Sequence, residues 1–433
     1  MGFIEVLNYS LLFAVGGLII YYLLISFLAL WGNRDIDHEG IKTRKFAVVL
    51  FNHGKEQVLS RSLYSVSGLV YPKNKYDVIV IADSYSDSIV QVAEKMGAKI
   101  LVPPLGKRDE NKKNILSWAF DSILQGDELY DAVIIFDSDG LVSGNYLKVM
   151  NYYLEQGSEV IQGGFNNLNR AESWIDKIRE VDFLINRFVY PMGRKVMRLG
   201  INLRSNGICF STALLREFPW NIEKQPSITE YGLDLRLNGI EIDFASNAVV
   251  FKKIFPTNDE DNNSYFRNRN ADSYYLIRKY MSRLLSRTGK KKSFKHVGLL
   301  LEFVLPQFSN LMLFVAAMGI IDGILWGLGW ISLSALLFWL LLVGGAICSV
   351  SLAIIAAGTQ QKFLRSVMYI PVTIYIKVQG LSRKFQGEEQ TIEASNGKGK
   401  FFVVPDENQP VEQMAEILLS DSVICLKSYK PLN

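Results

Sequence analysis

The chain has 433 residues, 49% of them hydrophobic and 21% charged, with a formal net charge of +4; its length suits about two or three domains. The apolar content is concentrated: residues 6–31, 303–321 and 323–361 carry no charge, and a bilayer span needs about 20 apolar residues, which excludes a wholly soluble chain. Three scattered cysteines without a CxxC pair and three histidines argue against a zinc centre, and basic residues beside apolar runs point to a lipid surface, with no nucleic-acid partner.

The first apolar run predicts a transmembrane helix over residues 1–33. Glu5 precedes it and no basic n-region is present, so it does not read as a cleavable signal peptide. Two further spans are expected within 301–360, split around Gly327-Leu328-Gly329. Arg34, Lys42, Arg44 and Lys45 follow the first span, Lys290, Lys291, Lys292 and Lys295 precede the second, and Lys362 and Arg365 follow the third. Basic flanks mark the cytoplasmic side, so residues 34–300 are expected to form a cytoplasmic domain on the inner membrane of a bacterium. The spans are read as free of internal charge, which disfavours a transporter.

Between the spans, strands and helices alternate. Strands are predicted at 45–51, 76–81, 99–102 and 132–136, and helices at 56–67, 89–96 and 114–124. This order predicts an α/β fold, a mostly parallel sheet with helices on both faces. In such sheets ligands gather at the carboxyl ends of the strands, and Asn52, Asp83, Asp137 and Asp139 all fall there. Beyond residue 144 the expected elements are a helix at 146–155, a strand at 160–164, a helical stretch at 172–197 interrupted at Pro191, a strand entered at 204–210, a helix at 229–238, a strand at 242–251 and a polar helix at 263–285. An interfacial helix at 361–386 and a cytoplasmic tail at 387–433 complete the chain.

The stretch that carries the chemistry is FDSDG, residues 136–140. Two carboxylates two residues apart at a strand end can lie on one side of the chain, and such a pair repels itself unless a cation sits between. Oxygen ligands suit Mg²⁺ or Mn²⁺, which would stabilise a leaving diphosphate; an acidic turn is the plainer alternative. Asp83 can accept from the ring N–H of a nucleotide base or cap a turn. Lys113 follows a loop and can meet phosphate or begin a solvated helix. Asn206-Gly207 allows close backbone approach to a sugar or forms a simple turn. Glu230 and Asp234 are an i,i+4 pair on one helical face, able to supply a general base or to face solvent. Arg267 and Arg269 can neutralise a diphosphate or extend the basic belt beside the membrane.

In order along residues 46–285, these pieces resemble a membrane-bound family 2 glycosyltransferase of the cellulose, chitin and hyaluronan synthase-like type. VIADSYSDS resembles "VxADxxxDxT", NKKNILSWAF resembles "GKGxALNWAF", and FDSD resembles the "DxD" metal site. VIQGGFNNLN with SNGICFS resembles "viQgxyxxxN…GnGxcFs", TEYGLDLRLNGIEIDFA resembles "TEDxELxLRLxxxGxxixfa", and FRNRN stands at "QRxRW". The resemblance implies a GT-A fold (Rossmann-like mixed sheet) with transmembrane helices. It places Asp83 on the base, Lys113 near the nucleotide, and Asp137 and Asp139 on the diphosphate and a Mn²⁺ or Mg²⁺ ion.

The departures fall on the acceptor side. His53 stands at the family's "NE" acid, Tyr231 at the "TED" base, and Phe266 and Asn270 at the Gln and Trp of "QxxRW". Another register, with EYGLDL on "EDLEYGLKL", places Ser227-Ile228 at the acid pair. Glu230 is the nearest surviving carboxylate, since an unperturbed tyrosine ionises only near about 10. The resemblance thus implies an inverting glycosyltransferase taking a UDP-sugar to a polysaccharide or lipid-linked acceptor, alone or with other polysaccharide-synthesis subunits. The alternative is a catalytically silent glycosyltransferase-like subunit that scaffolds such a complex.

Overall fold

The computed structural model describes residues 3–32, 42–51, 56–82, 88–104, 112–167, 183–252, 275–276, 278–283, 298–299, 301–302 and 308–356. The expected interfacial helix and tail lie outside them. The elements are α1 (Phe3–Ala29), β1 (Phe46–Phe51), α2 (Glu56–Ser67), β2 (Tyr76–Ile81), α3 (Ser88–Lys95), β3 (Lys99–Leu101), α4 (Lys112–Gln125), β4 (Ala132–Asp137), β5 (Gly140–Val142), α5 (Tyr146–Glu155), β6 (Val160–Asn167), α6 (Tyr190–Val196), β7 (Ile208–Ser211), α7 (Thr212–Glu217), α8 (Ile228–Leu237), β8 (Ile242–Lys252), α9 (Phe308–Gly327) and α10 (Leu333–Ala356).

One sheet runs β3-β2-β1-β4-β7-β6-β8-β5. Strands β1 to β4 are mutually parallel where they pair. β7 lies antiparallel between β4 and β6, and β5 is antiparallel to β8. The central strands are apolar throughout because both faces are covered. Ala47, Val49, Val133 and Ile135 point to the side of Phe120, Tyr231 and the membrane helices. Phe46, Val48, Leu50, Ile134 and Phe136 point to the side of Leu59, Leu63, Tyr146 and Met150. The register sets Phe51 level with both Ile81 and Asp137, so three parallel strands end together and define one rim.

The helical stretch before residue 197 corrects one expectation. Pro191 does not interrupt it; helix continues from 190 to 196 with Pro191 in its first turn. The irregularity lies just before, in a π-helical segment at Ile185–Val189. Pro191 has no N–H to donate backward, and a wider turn on its amino side accommodates that loss. Two elements went unread, β5 and α7, both too short to show periodicity.

Among the described residues, three helices are long and apolar enough to cross a membrane: residues 4–29, 310–327 and 333–356. They mark a membrane protein. Gly345 of α10 meets Ile19 and Leu23 of α1, and the break at 328–332 falls where Gly327-Leu328-Gly329 predicted it. A Cβ at Gly193 of α6 would collide with the Ile25 carbonyl of α1, so glycine lets α6 lie directly against the first span.

The expectation of charge-free spans is corrected. Asp322 lies within α9, 1% exposed. Trp339 Nε1 donates to Asn8 Oδ1 at 2.9 Å, and Asn8 Nδ2 donates to Asp322 Oδ2 at 2.5 Å. An indole N–H can only donate, so it fixes which way the Asn8 amide points. The three helices are thus tied by one buried polar chain, and absence of charge no longer argues against any function.

Candidate active site

The rim site is built by β4 and what surrounds its end. β4 carries Asp137 into the interior, where it is 4% exposed. The chain turns at once, and the Ser138 N–H continues the ladder to the Phe51 carbonyl at 3.0 Å. Asp139 follows on the solvent side. Gly140 then starts β5; a Cβ there would meet Val250 Cγ1 at 2.9 Å and Asn206 Nδ2 at 3.3 Å. Only a bare Cα lets the turn pack down this closely.

Helix α2 clamps the turn from beneath. Ser62, 1% exposed, donates to the Ser138 carbonyl and lies 2.8 Å from the Gly140 carbonyl. One turn later Ser65 Oγ accepts from the Val142 N–H at 2.6 Å. Ser62→Ala would strip buried carbonyls of their donor and is expected to lower unfolding free energy by about 1–3 kcal/mol, measured by thermal unfolding in detergent.

From the other flank, Gln162 of β6 shapes the loop before β7. Its Nε2 donates to the carbonyls of Asn206 (2.8 Å) and Gly207 (3.1 Å), and its Oε1 accepts from the Arg204 N–H at 2.8 Å. Gly207 takes a φ of +64° in this loop. So held, Asn206 Oδ1 accepts from the Asp137 N–H at 3.1 Å. Asn206 is 2% exposed, and its Nδ2 has no hydrogen-bond partner among the described residues, directly behind the turn.

The two carboxylates do converge. Lys252, the last residue of β8, sets its Nζ 2.8 Å from Asp139 Oδ2 and 3.4 Å from Asp137 Oδ2. Burial works against the ammonium, but Asp137 and Asp139 outweigh it and hold its pKa above the ordinary lysine range. The lysine stands where a cation between the pair would stand, so the donor set fits a hard divalent ion. Among the described residues no group of three or more His, Cys, Asp or Glu gathers at one point, so ligands beyond the pair would come from substrate and water.

Glu230 and Asp234 lie on α8, apart from this pair in sequence but tied to the same loop, since Thr229 Oγ1 donates to the Leu203 carbonyl at 3.3 Å. Ser227 caps the helix by accepting from the Glu230 N–H at 3.1 Å. The Glu230 side chain is 3% exposed; its Oε2 accepts from Lys279 Nζ at 2.5 Å and Tyr280 Oη at 2.9 Å. Asp234 accepts from Gln225 Nε2 at 2.8 Å and so braces the 220–225 turn. Tyr231 is 2% exposed, stacked on Trp220 at 5.8 Å between centroids, and donates to the Phe218 carbonyl. It is a core residue.

The structure therefore brings together Asp137, Asp139 and Asn206. Lys113 opens α4, but its side chain, like Asn52, Asp83, Arg267 and Arg269, lies outside the described residues. Sequence reasoning missed Lys252, Ser62 and Gln162 as supports of the site. A basic residue closing an apolar strand beside an acidic turn was the available signal for Lys252. A polar cavity of about 470 Å³ lies at the opposite strand ends, lined by Ser158, Glu159, Glu217 and Asp243 among others; it shares no residue with the rim.

No curated protein sequence matches the chain significantly. Among solved structures, the chain is similar to the mannosyltransferase PcManGT of Pyrobaculum calidifontis in complex with GDP-Man and Mn²⁺, at 12% identity over 89% of this chain and 99% of that one, TM-score 0.48. It is also similar to S. aureus TarS with UDP-GlcNAc, at 15% identity over 84% and 98%, TM-score 0.40. Glucosyl-3-phosphoglycerate synthase of Mycobacterium tuberculosis, with Mn²⁺ and UDP, aligns at 16% identity over 54% and 80%, TM-score 0.34. The profile of the family described as Glycosyltransferase like family 2 matches residues 43–274, more than half of the chain. With its mixed sheet and three apolar helices, the chain has an α/β GT-A fold plus transmembrane helices and belongs to glycosyltransferase like family 2.

Proposed function

We propose that the protein is an inverting glycosyltransferase that moves a sugar from a nucleotide sugar, a UDP-sugar in this reading, to a polysaccharide or lipid-linked acceptor at the cytoplasmic face of a bacterial membrane. The observation that carries the proposal is the convergence of Asp137 and Asp139 on one cation position at the carboxyl rim of the sheet. These two residues would hold Mn²⁺ or Mg²⁺, which when bound neutralises charge on the departing diphosphate. Asn206 keeps Asp137 in place by accepting from its backbone N–H. Asp83 and Lys113 complete the nucleotide side, and Arg267 and Arg269 the diphosphate side.

For the acceptor, Glu230 is assigned as base. Its contacts to Lys279 and Tyr280 both fall on Oε2, so Oε1 is assigned to the acceptor hydroxyl. As that oxygen bonds to the sugar's anomeric carbon, its proton passes to Glu230 and the bond to the diphosphate breaks on the opposite face. Asp234 serves as a brace rather than as a second base, because its carboxylate is committed to Gln225.

The test is release of nucleoside diphosphate by detergent-purified protein with Mn²⁺, a panel of nucleotide sugars, and polysaccharide or lipid-linked acceptors. Glu230→Gln is expected to lower turnover by about 10²- to 10⁴-fold, the usual contribution of a general base, with donor binding unchanged by calorimetry. Turnover equal to wild type would remove Glu230 from the role. The silent-subunit reading draws on a specific observation: Tyr231, at the family's base position, is sealed in the core. Donor binding without release across the panel would decide for it.

A further inference from the structure

The divalent-ion reading leaves Lys252 unexplained. A lysine between the two carboxylates opposes any cation entering the same space. Its place is not incidental to side-chain freedom, because its backbone is fixed at the end of β8, in register with Gly140 of β5 on one side and Asn167 of β6 on the other. The Asp-Ser-Asp turn emerges beside that same Gly140. The lysine side chain is 30% exposed and the Asp137 side chain 6%, so each needs a counter-charge more than a surface group would.

We propose that Lys252 is a built-in counter-cation of the aspartate pair, displaced by a divalent metal only when a nucleoside diphosphate arrives with it, the freed ammonium then pairing with the diphosphate. The proposal rests on the reading of Asp137 and Asp139 as the metal-holding pair. The lysine offsets part of the pair's negative charge and so weakens its pull on a bare dication. Mg²⁺ is usually bound through one or two carboxylates together with substrate phosphates and waters, and without the phosphates no third His, Cys, Asp or Glu joins the pair among the described residues. A diphosphate remedies both faults. Its oxygens complete the shell, and its charge accepts the ammonium that leaves the carboxylates, so no ionised group is stranded half-buried. Metal and nucleotide are then coupled through one side chain, and the coupling is reciprocal.

The experiment measures Mn²⁺ binding to the full-length protein in detergent from the electron paramagnetic resonance signal of the free ion, with and without UDP or GDP. Wild type is expected to bind Mn²⁺ weakly alone and strongly with the nucleotide. Lys252→Gln and Lys252→Met are expected to bind free Mn²⁺ about tenfold tighter or more, within the range usual for coupled sites, and to lose most of the enhancement by nucleotide. Lys252→Arg, which keeps the charge, is expected to behave as wild type, and thermal unfolding verifies that each variant is folded. Equal affinity of wild type and both neutral variants for free Mn²⁺, with Asp139→Asn abolishing binding in all, would overturn the lysine's role and leave the metal site standing. Binding untouched by Asp139→Asn would instead remove the metal site, and with it both proposals.

Discussion

Asp139→Ala is expected to lower release of nucleoside diphosphate by about 10²- to 10³-fold or more, the loss typical of removing one preorganised charge-stabilising group. The same change leaves unfolding within about 0.5 kcal/mol of wild type, as expected for a surface position. The two halves of this expectation come from the asymmetry of the pair. Asp137 is buried and its backbone N–H is held by Asn206, so its replacement mixes chemistry with packing. Asp139 is 44% exposed at its side chain and bonds to Lys252 at 2.8 Å. Removing it takes one of the two carboxylates of the proposed metal-holding pair without opening a cavity. Activity retained near the wild-type rate, measured by release of nucleoside diphosphate over saturating donor, would mean that the turn is only a turn.

Glu302→Ala is expected to destabilise the protein by about 3–5 kcal/mol, the usual consequence of leaving a buried charge without its partner. Here two are left. Arg194 Nη2 lies 3.2 Å and Arg236 Nη1 2.8 Å from Glu302 Oε2, with the arginine side chains 0% and 6% exposed. Arg194 also donates to the carbonyls of Gly200 at 2.9 Å and Gly298 at 3.0 Å and to Tyr21 Oη at 3.1 Å. The triad thus joins α6 and α8 to the first membrane helix. Domains have about 5–15 kcal/mol of total stability, so the loss is a large share of it. Burial works against ionisation of Glu302, but Arg194 and Arg236 outweigh it and hold the carboxyl below the ordinary glutamate range. A lowered folded-state pKa stabilises above the unfolded value of about 4.3, and that contribution is lost as pH falls through the folded value. Thermal unfolding of wild type should therefore fall on acidification through that window, while Glu302→Ala, already lower, should lack this component.

The parts of the fold legible in the chain were those written locally. Strands β1, β2 and β4 are short β-branched runs buried on both faces, and Asp137 announced itself by ending one of them. The helix expected at 229–238 is α8, offset by one residue at each end, and it carries Glu230 and Asp234 as read. The supports of the site were not readable, because each reaches it from a remote segment. Ser62 and Gln162 look like ordinary polar residues until β4 is laid between them, and Lys252 approaches Asp139 only once β8 pairs with β5. Asp322 escaped for a different reason. It parts two long uncharged runs, each free of charge by itself, although a span that ends at Gly327 contains it.

That carboxylate bears on how the protein is made. Asn8 and Asp322 are separated by 314 positions, and the whole sugar-handling domain is synthesised between them. The opening helix therefore enters the bilayer with an amide that has nothing to hold, an expensive condition in hydrocarbon, until the closing hairpin brings it a carboxylate and an indole. Chains cut short before that hairpin should be visible to membrane quality control as incomplete, whatever the state of their catalytic half.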